Sequence, residues 1–213
     1  MACDIHVMIE KVNKENGEWD TYLEGNEGFY LHIDRNYDLF AILADVRNGY
    51  GFARCDTGDG FVPIARPRGI PNNASDNYLD YVKEWGSDGH SHSCLTVREI
   101  QNFDWDGQTT KHRGYVSQES YALYKQTGEI RCFSADVCRR DICKVSNEIM
   151  DYILSGAFPK GKNADYYTQI EWEETYKESC AYFVNNQLPE LVKLAKDCNC
   201  STEELRLVFF FDN

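Results

Sequence analysis

The sequence predicts an α+β fold: a mixed β-sheet holds the strands near both ends of the chain, helices pack on it, and residues 104–163 form an insertion in what is otherwise a single domain. Three observations support this. In residues 3–10, Cys3, Ile5, Val7 and Ile9 alternate with Asp4, His6, Met8 and Glu10, the period of a strand with one apolar face. From Asn36 the period changes, and Leu39, Phe40, Ile42, Leu43 and Val46 recur at the three-and-four spacing of an amphipathic helix. Leu205–Phe211 is apolar at every position but Arg206, as in a buried strand.

The elements between these follow from local chemistry. A turn at Asn16-Gly17 should fold Trp19–Glu24 back on the first strand. Asn48-Gly49 suits the end of the first helix. Gly49–Asn73 is rich in glycine and carries Pro63, Pro67 and Pro71, so a long ordered loop is expected there. Ser75 caps a short helix through Tyr78, Leu79, Val82 and Trp85, which Gly86 closes. Ser87–Ser93 reads as a polar loop, and Thr96-Val-Arg-Glu99 is a capping box for another helix. Within the insertion, helices are expected over Ser117–Gln126 and Val137–Leu154. Tyr167–Tyr176 alternates like a strand, and a helical stretch then runs to Cys198, kinked or divided at Pro189. The helices are expected on one face of the sheet.

With 42% apolar residues over 213 positions, the chain can build a core and is not disordered. Its net charge of −13 opposes polyanions, so long nucleic acids are not expected partners. No stretch reaches membrane-spanning length, and Asp4, His6 and Glu10 interrupt any apolar leader. The expected location is the cytoplasm, where the nine cysteines would be reduced thiols. Cys138-x4-Cys143 and Cys198-x-Cys200 lack the two-residue spacing common in zinc sites.

Two constellations are candidates for chemistry. Asp4-x-His6 displays both side chains on one side of a strand, and Asp88-Gly-His90-Ser-His92 would do the same if extended. Asp4, His6, His90 and His92 are therefore candidate catalytic residues. With Asp88 they are also candidate ligands of a divalent metal that activates water; no cofactor is certain. Phosphoesterases with two strand-borne histidines carry Ser or Thr two residues after each, a pattern that Met8 and His92 do not match. The plainer alternative is a half-buried strand histidine and two loop histidines bonded to carbonyls. The second constellation is cationic: Arg35, Arg47, Arg66 and Arg68, with Tyr37, surround one helix and the proline-rich loop. Guanidinium groups fork onto phosphate or carboxylate, so these five are candidate ligand-binding residues for a small anion such as a nucleotide. Helix-end charge and local pairing with Asp34 or Asp38 are the plainer account.

The segments CDIHVMIE, RNYDLFAILADVRN, RPRGIPNNAS, DGHSHSCLTVREI and LRLVFFFDN resemble a group of mostly uncharacterised proteins encoded by phages, prophages and bacteria. The resemblance leaves the middle of the chain unmatched. It implies a phage setting in the host cytosol, by analogy with counter-defence factors that bind or cleave nucleotide signals, and carries no catalytic assignment. The expected function is a phosphodiesterase-like hydrolase of a small nucleotide. Two alternatives stay open: a non-catalytic protein that sequesters such a signal, and an acidic factor that mimics nucleic acid and binds a host protein. A homo-oligomer is also open.

Overall fold

The computed structural model describes residues 2–24, 27–28, 31–157 and 165–212. In chain order the elements are β1 (Ile5–Val12), β2 (Trp19–Thr21), β3 (Leu23–Glu24), β4 (Glu27–Gly28), α1 (Tyr37–Ala44), α2 (Asp76–Trp85), β5 (His90–Thr96) and α3 (Val97–Gln101). Then follow β6 (Thr109–Ser117), α4 (Gln118–Thr127), β7 (Ile142–Val145), α5 (Asn147–Leu154), β8 (Asp165–Thr175), α6 (Tyr176–Ser179), α7 (Leu188–Asp197) and β9 (Leu205–Phe211). This is the expected α+β class. No helix among the described residues is long and apolar enough to cross a membrane.

The chain divides into two compact units: residues 1–48, 61–109 and 175–213, and residues 49–60 with 110–174. The second unit overlaps the expected 104–163 insertion but extends through β8, and it also takes the start of the glycine-rich loop.

The first unit is built on a four-stranded sheet of order β2-β1-β9-β5. β1 and β9 pair over their whole length, Ile5 opposite Phe211 and Lys11 opposite Leu205, so both terminal strands lie at its centre. Its three strand pairs are antiparallel, and the parallel component of the expected mixed sheet lies instead between β7 and β8 of the second unit.

One face of the sheet, with Ile5, Val7, Ile9, Phe209 and Phe211, is buried with Phe40 and Leu43 of α1, Ile100 of α3 and Leu191 of α7. The opposite face, with Met8, Val208 and Phe210, is buried with Tyr78 of α2, and Tyr81, Val82 and Trp85 pack there. Helices thus cover both faces rather than the single face expected. The reason is legible in β9, where all seven residues are buried, a pattern that requires cover on each side.

Two local expectations are corrected. His90–Ser93 is not a loop but the first half of β5, held by pairing with β9 despite its polar sequence. Val137–Leu154 is not one helix, because Ile142–Val145 pairs with β8 and Ser146 starts α5 by accepting from the Ile149 amide. Pro189 lies in the first turn of α7, which continues directly from a π-helical turn over Phe183–Gln187, so the helical stretch changes its hydrogen bonding just before the proline rather than ending there.

The second unit combines the sheet β6-β8-β7 with α4 and α5 around Val116, Tyr121, Met150, Ile153, Tyr166 and Ile170. Residues 49–60 are tied to β6: the Asp59 amide donates to Lys111 O at 2.9 Å and the Arg113 amide to Thr57 O at 2.9 Å. The Arg113 guanidinium binds the carboxylates of Asp56, Asp59 and Glu171. Gly58 sits between them at φ 149°, and a Cβ there would lie 2.2 Å from Lys111 O. Gly58→Ala is therefore expected to destabilise this unit by more than about 1 kcal/mol, because backbone must shift. A urea midpoint unchanged from the natural chain would refute that.

Candidate functional site

The candidate site forms where the start of β1 meets the end of β9. Just beyond the strands, the Asp212 amide donates to Asp4 O at 3.1 Å, and the Asp4 amide donates to Asp212 Oδ1 at 2.9 Å. This reciprocal pair places the Asp212 carboxylate beside His6, with Oδ2 3.4 Å from Nε2. The other imidazole nitrogen, Nδ1, lies 3.0 Å from the Tyr81 hydroxyl, a hydrogen bond across to α2. The ring itself is boxed by aromatics, with its centroid 4.1 Å from that of Trp85 and 4.9 Å from that of Phe210. Its side chain keeps 17% of its surface accessible, so it is confined yet reachable.

Asp4 faces Arg35, whose Nε donates to Oδ1 at 2.8 Å while Nη2 holds Oδ2. This guanidinium contact keeps the Asp4 carboxyl below the usual carboxylate range. Beside the pair, the Cys3 amide donates to the Tyr37 hydroxyl at 3.3 Å, and the Arg47 guanidinium lies 5.6 Å from the Tyr37 ring centroid. Burial pushes the Cys3 thiol up, although Arg47 hydrogen-bonds to it and pulls the other way. Arg47 reaches this position from a turn in which it and Asp45 both adopt left-handed backbone, φ 58° and 57°. Five predicted residues, Asp4, His6, Arg35, Tyr37 and Arg47, are therefore brought to one end of the sheet.

The others go elsewhere. Arg68 donates two hydrogen bonds to Glu99 and one to Cys94 O, fastening the proline-rich loop to β5 and α3. Burial opposes the charge on Glu99, yet Arg68 and Thr96 together hold its carboxyl below the usual range. Arg66 is 87% exposed and 3.8 Å from Asp45. Asp88 lies exposed in a single 3-10 turn before β5.

His90 and His92 do not share a side of β5. The register shifts between His90 opposite Phe211 and Ser93 opposite Phe209, and Ser91 absorbs the extra residue at φ 53°. Such a bulge cancels the two-residue alternation. The His90 ring lies 6.2 Å from that of Phe211, and the His92 ring lies 5.2 Å from that of Phe210. His6 and His92 stand on strands either side of β9, roughly 10 Å apart at the backbone, with Phe210 their common neighbour. The predicted metal set Asp4, His6, Asp88, His90 and His92 is not assembled: among the described residues no three His, Cys, Asp or Glu side chains could share an ion. Arg35 claims Asp4, Tyr81 claims one nitrogen of His6, and the bulge separates the other two histidines.

His6 Nε2, His90 Nε2 and His92 Nδ1 are all shielded from solvent without a hydrogen-bond partner among the described residues. Burial pushes the His92 imidazole below the usual histidine range, so it is neutral at pH 7. The folded state then takes up this proton less readily than the unfolded chain. The stability His92 contributes is complete above its ordinary pKa of about 6.5 and is lost as pH falls below it. His92→Gln should flatten the fall in urea midpoint between pH 7.5 and 5; an identical slope in the two proteins would exclude His92 as its source.

Sequence reasoning did not name Tyr81, read Trp85 only as a position of the helix, and allowed Asp212 a place at the sheet edge near His6 while preferring plain solvation. The signal for the first two was present as the stripe Tyr78, Tyr81, Trp85 along one face of α2. Comparison of the chain with protein-family models, with curated proteins and with solved structures found no match in any of the three.

Proposed function

We propose that this chain is a phosphodiesterase-like hydrolase of a small nucleotide, with proton transfer centred on His6. The observation that carries the reading is the series Asp212, His6, Tyr81, in which a carboxylate faces one imidazole nitrogen and a phenol bonds to the other. Asp212, 3.4 Å from Nε2 but outside hydrogen-bond geometry, favours by its charge the tautomer protonated on Nε2, which leaves Nδ1 to accept from Tyr81. Tyr81 is then the group that exchanges protons with the substrate. In hydrolysis the oxygen of one water bonds to phosphorus, the P–O bond to the leaving group breaks and the leaving oxygen takes a proton from Tyr81. The proton released by the water enters at the Tyr81 oxygen while His6 Nδ1 holds the original hydroxyl proton, and His6 then returns that proton to Tyr81, so both groups end as they began. Arg35 is the anion contact in this reading. Its pairing with Asp4 is about half exposed, and such pairs are worth only about 0–1 kcal/mol, so a phosphate can compete for it. The phage and counter-defence setting implied by the resemblance belongs to the same proposal.

The test is incubation of the purified chain with a panel of cyclic and linear nucleotides, with and without chelator. Turnover of at least one, lost in His6→Ala, is the expected result. Ligand that binds and is recovered intact would replace hydrolysis with sequestration, and failure to bind or cleave any would overturn both.

A second reading, an acidic factor for a basic protein partner, is favoured by the uneven distribution of charge. The first unit holds 23 acidic and 12 basic residues, whereas the second holds 12 and 10. Nearly all of the net −13 therefore belongs to one unit, where its field would attract a cationic partner.

A further inference from the structure

A cavity of about 630 Å³ opens beside β2 and the start of α2 in the first unit. Trp19, Glu18, Asp20, Asp76, Asn77 and Lys11 are among its lining residues. Behind it, the chain already holds a guanidinium of its own. Arg206 lies 4.0 Å from the Trp19 ring centroid, pairs with the Glu10 carboxylate at 2.7 Å and donates to Asn73 Oδ1 at 3.1 Å. An aromatic ring, a carboxylate and an amide oxygen thus bind one arginine from within. The cavity is lined by that same Trp19 together with Asn77 and three further carboxylates, Glu18, Asp20 and Asp76, of which Asp20 and Glu18 also accept from the Asn13 and Asn16 side chains.

We infer that this cleft receives an arginine side chain of a basic partner polypeptide. The inference rests on the acidic-factor reading and gives that reading a specific contact. A guanidinium is flat, carries only donors, stacks on indole and forks onto carboxylate, so the lining fits it better than a lysine ammonium. The walls are preorganised: Thr21 and Ser75 hydroxyls meet at 2.6 Å, and the Ser75 amide donates to buried Glu10 at 2.7 Å, joining β2 to the cap of α2. The field of a unit with 23 acidic and 12 basic residues steers cations toward it, and Lys11 is the one basic side chain among the described lining residues.

The experiment is calorimetric titration of the full chain with an arginine-rich peptide, its lysine counterpart and free arginine at low and physiological salt. Binding of the arginine peptide at least about fivefold tighter than the lysine peptide is expected, weakening with salt. Asp20→Asn with Asp76→Asn should weaken it by about tenfold or more, Lys11→Ala should tighten it, and His6→Ala should leave it unchanged. A preserved melting temperature in the double variant shows that the fold is intact, and Trp19→Phe gives a second, uncharged probe of the cleft. Equal binding of both peptides, or binding insensitive to Asp20, Asp76 and Trp19, overturns the cleft while leaving the acidic-factor reading standing. No binding of either peptide overturns both, and equal affinity for free arginine assigns the cleft to a small amine rather than a polypeptide.

Discussion

Glu10→Ala is expected to lower the unfolding free energy by about 3–5 kcal/mol, a large share of the total for a chain of this size. Glu10 has no accessible surface and Arg206 keeps only 6%. The carboxylate accepts from the Ser75 amide at 2.7 Å and from Arg206 Nε at 2.8 Å, and Arg206 donates further to Asn73 O at 3.0 Å. Removing the carboxylate leaves a guanidinium buried against indole without its counter-charge, and leaves the Ser75 amide without its acceptor. Replacing both partners by apolar residues of similar volume, Glu10→Leu with Arg206→Met, should recover much of that loss, because the desolvation of both ions is then removed as well. Urea unfolding of the two single variants and the double variant measures the coupling. A Glu10→Ala protein within about 1 kcal/mol of the natural one would mean that water or rearranged side chains compensate for the lost carboxylate.

His6→Ala is expected to reduce nucleotide hydrolysis by about 10²–10⁴-fold, the usual range for removal of a general acid–base group. Tyr81→Phe is the sharper variant, since it removes one hydroxyl and keeps the ring beside Phe210 and Trp85. It should lower kcat by a comparable factor with little change in KM, whereas a purely structural Tyr81 would leave kcat intact. Asp212→Asn should have a smaller effect, because it alters the tautomer of His6 without removing the imidazole. His92→Ala should retain turnover, since Phe210 lies between its strand and His6. Loss of activity in His92→Ala at unchanged stability would restore the two-histidine site in place of the series through Tyr81.

The local elements were legible because each rests on a local interaction. The Thr96–Glu99 capping box and the Ser75 cap of α2 both form as the spacing of donors and acceptors predicts. The alternation of β1 and the apolar run of β9 identified both central strands. β5 was hidden because His90-Ser-His-Ser has no apolar alternation; its strand conformation comes from pairing with β9. β7 was hidden inside a helical spacing for the same reason, as four residues acquire their state from β8.

The candidate site divides along the same line. Sequence alone put Asp4 and His6 in one candidate constellation and Arg35, Tyr37 and Arg47 in another, and the structure brings these five to one end of the sheet. It could not reveal that Arg35 and Arg68 would be taken up by Asp4 and Glu99, because ion pairing depends on which loops lie against which strands. Nor could it count one extra residue at Ser91, which turns His90 and His92 toward different rings. Periodicity, caps and net charge are properties of near neighbours along the chain and determine the class of fold and the repulsion of polyanions. The partners of Glu10 and His6 lie 65 to 206 residues away in sequence, so only the antiparallel pairing of the two terminal strands, with α2 packed across them, decides which charge is buried and which imidazole meets a phenol.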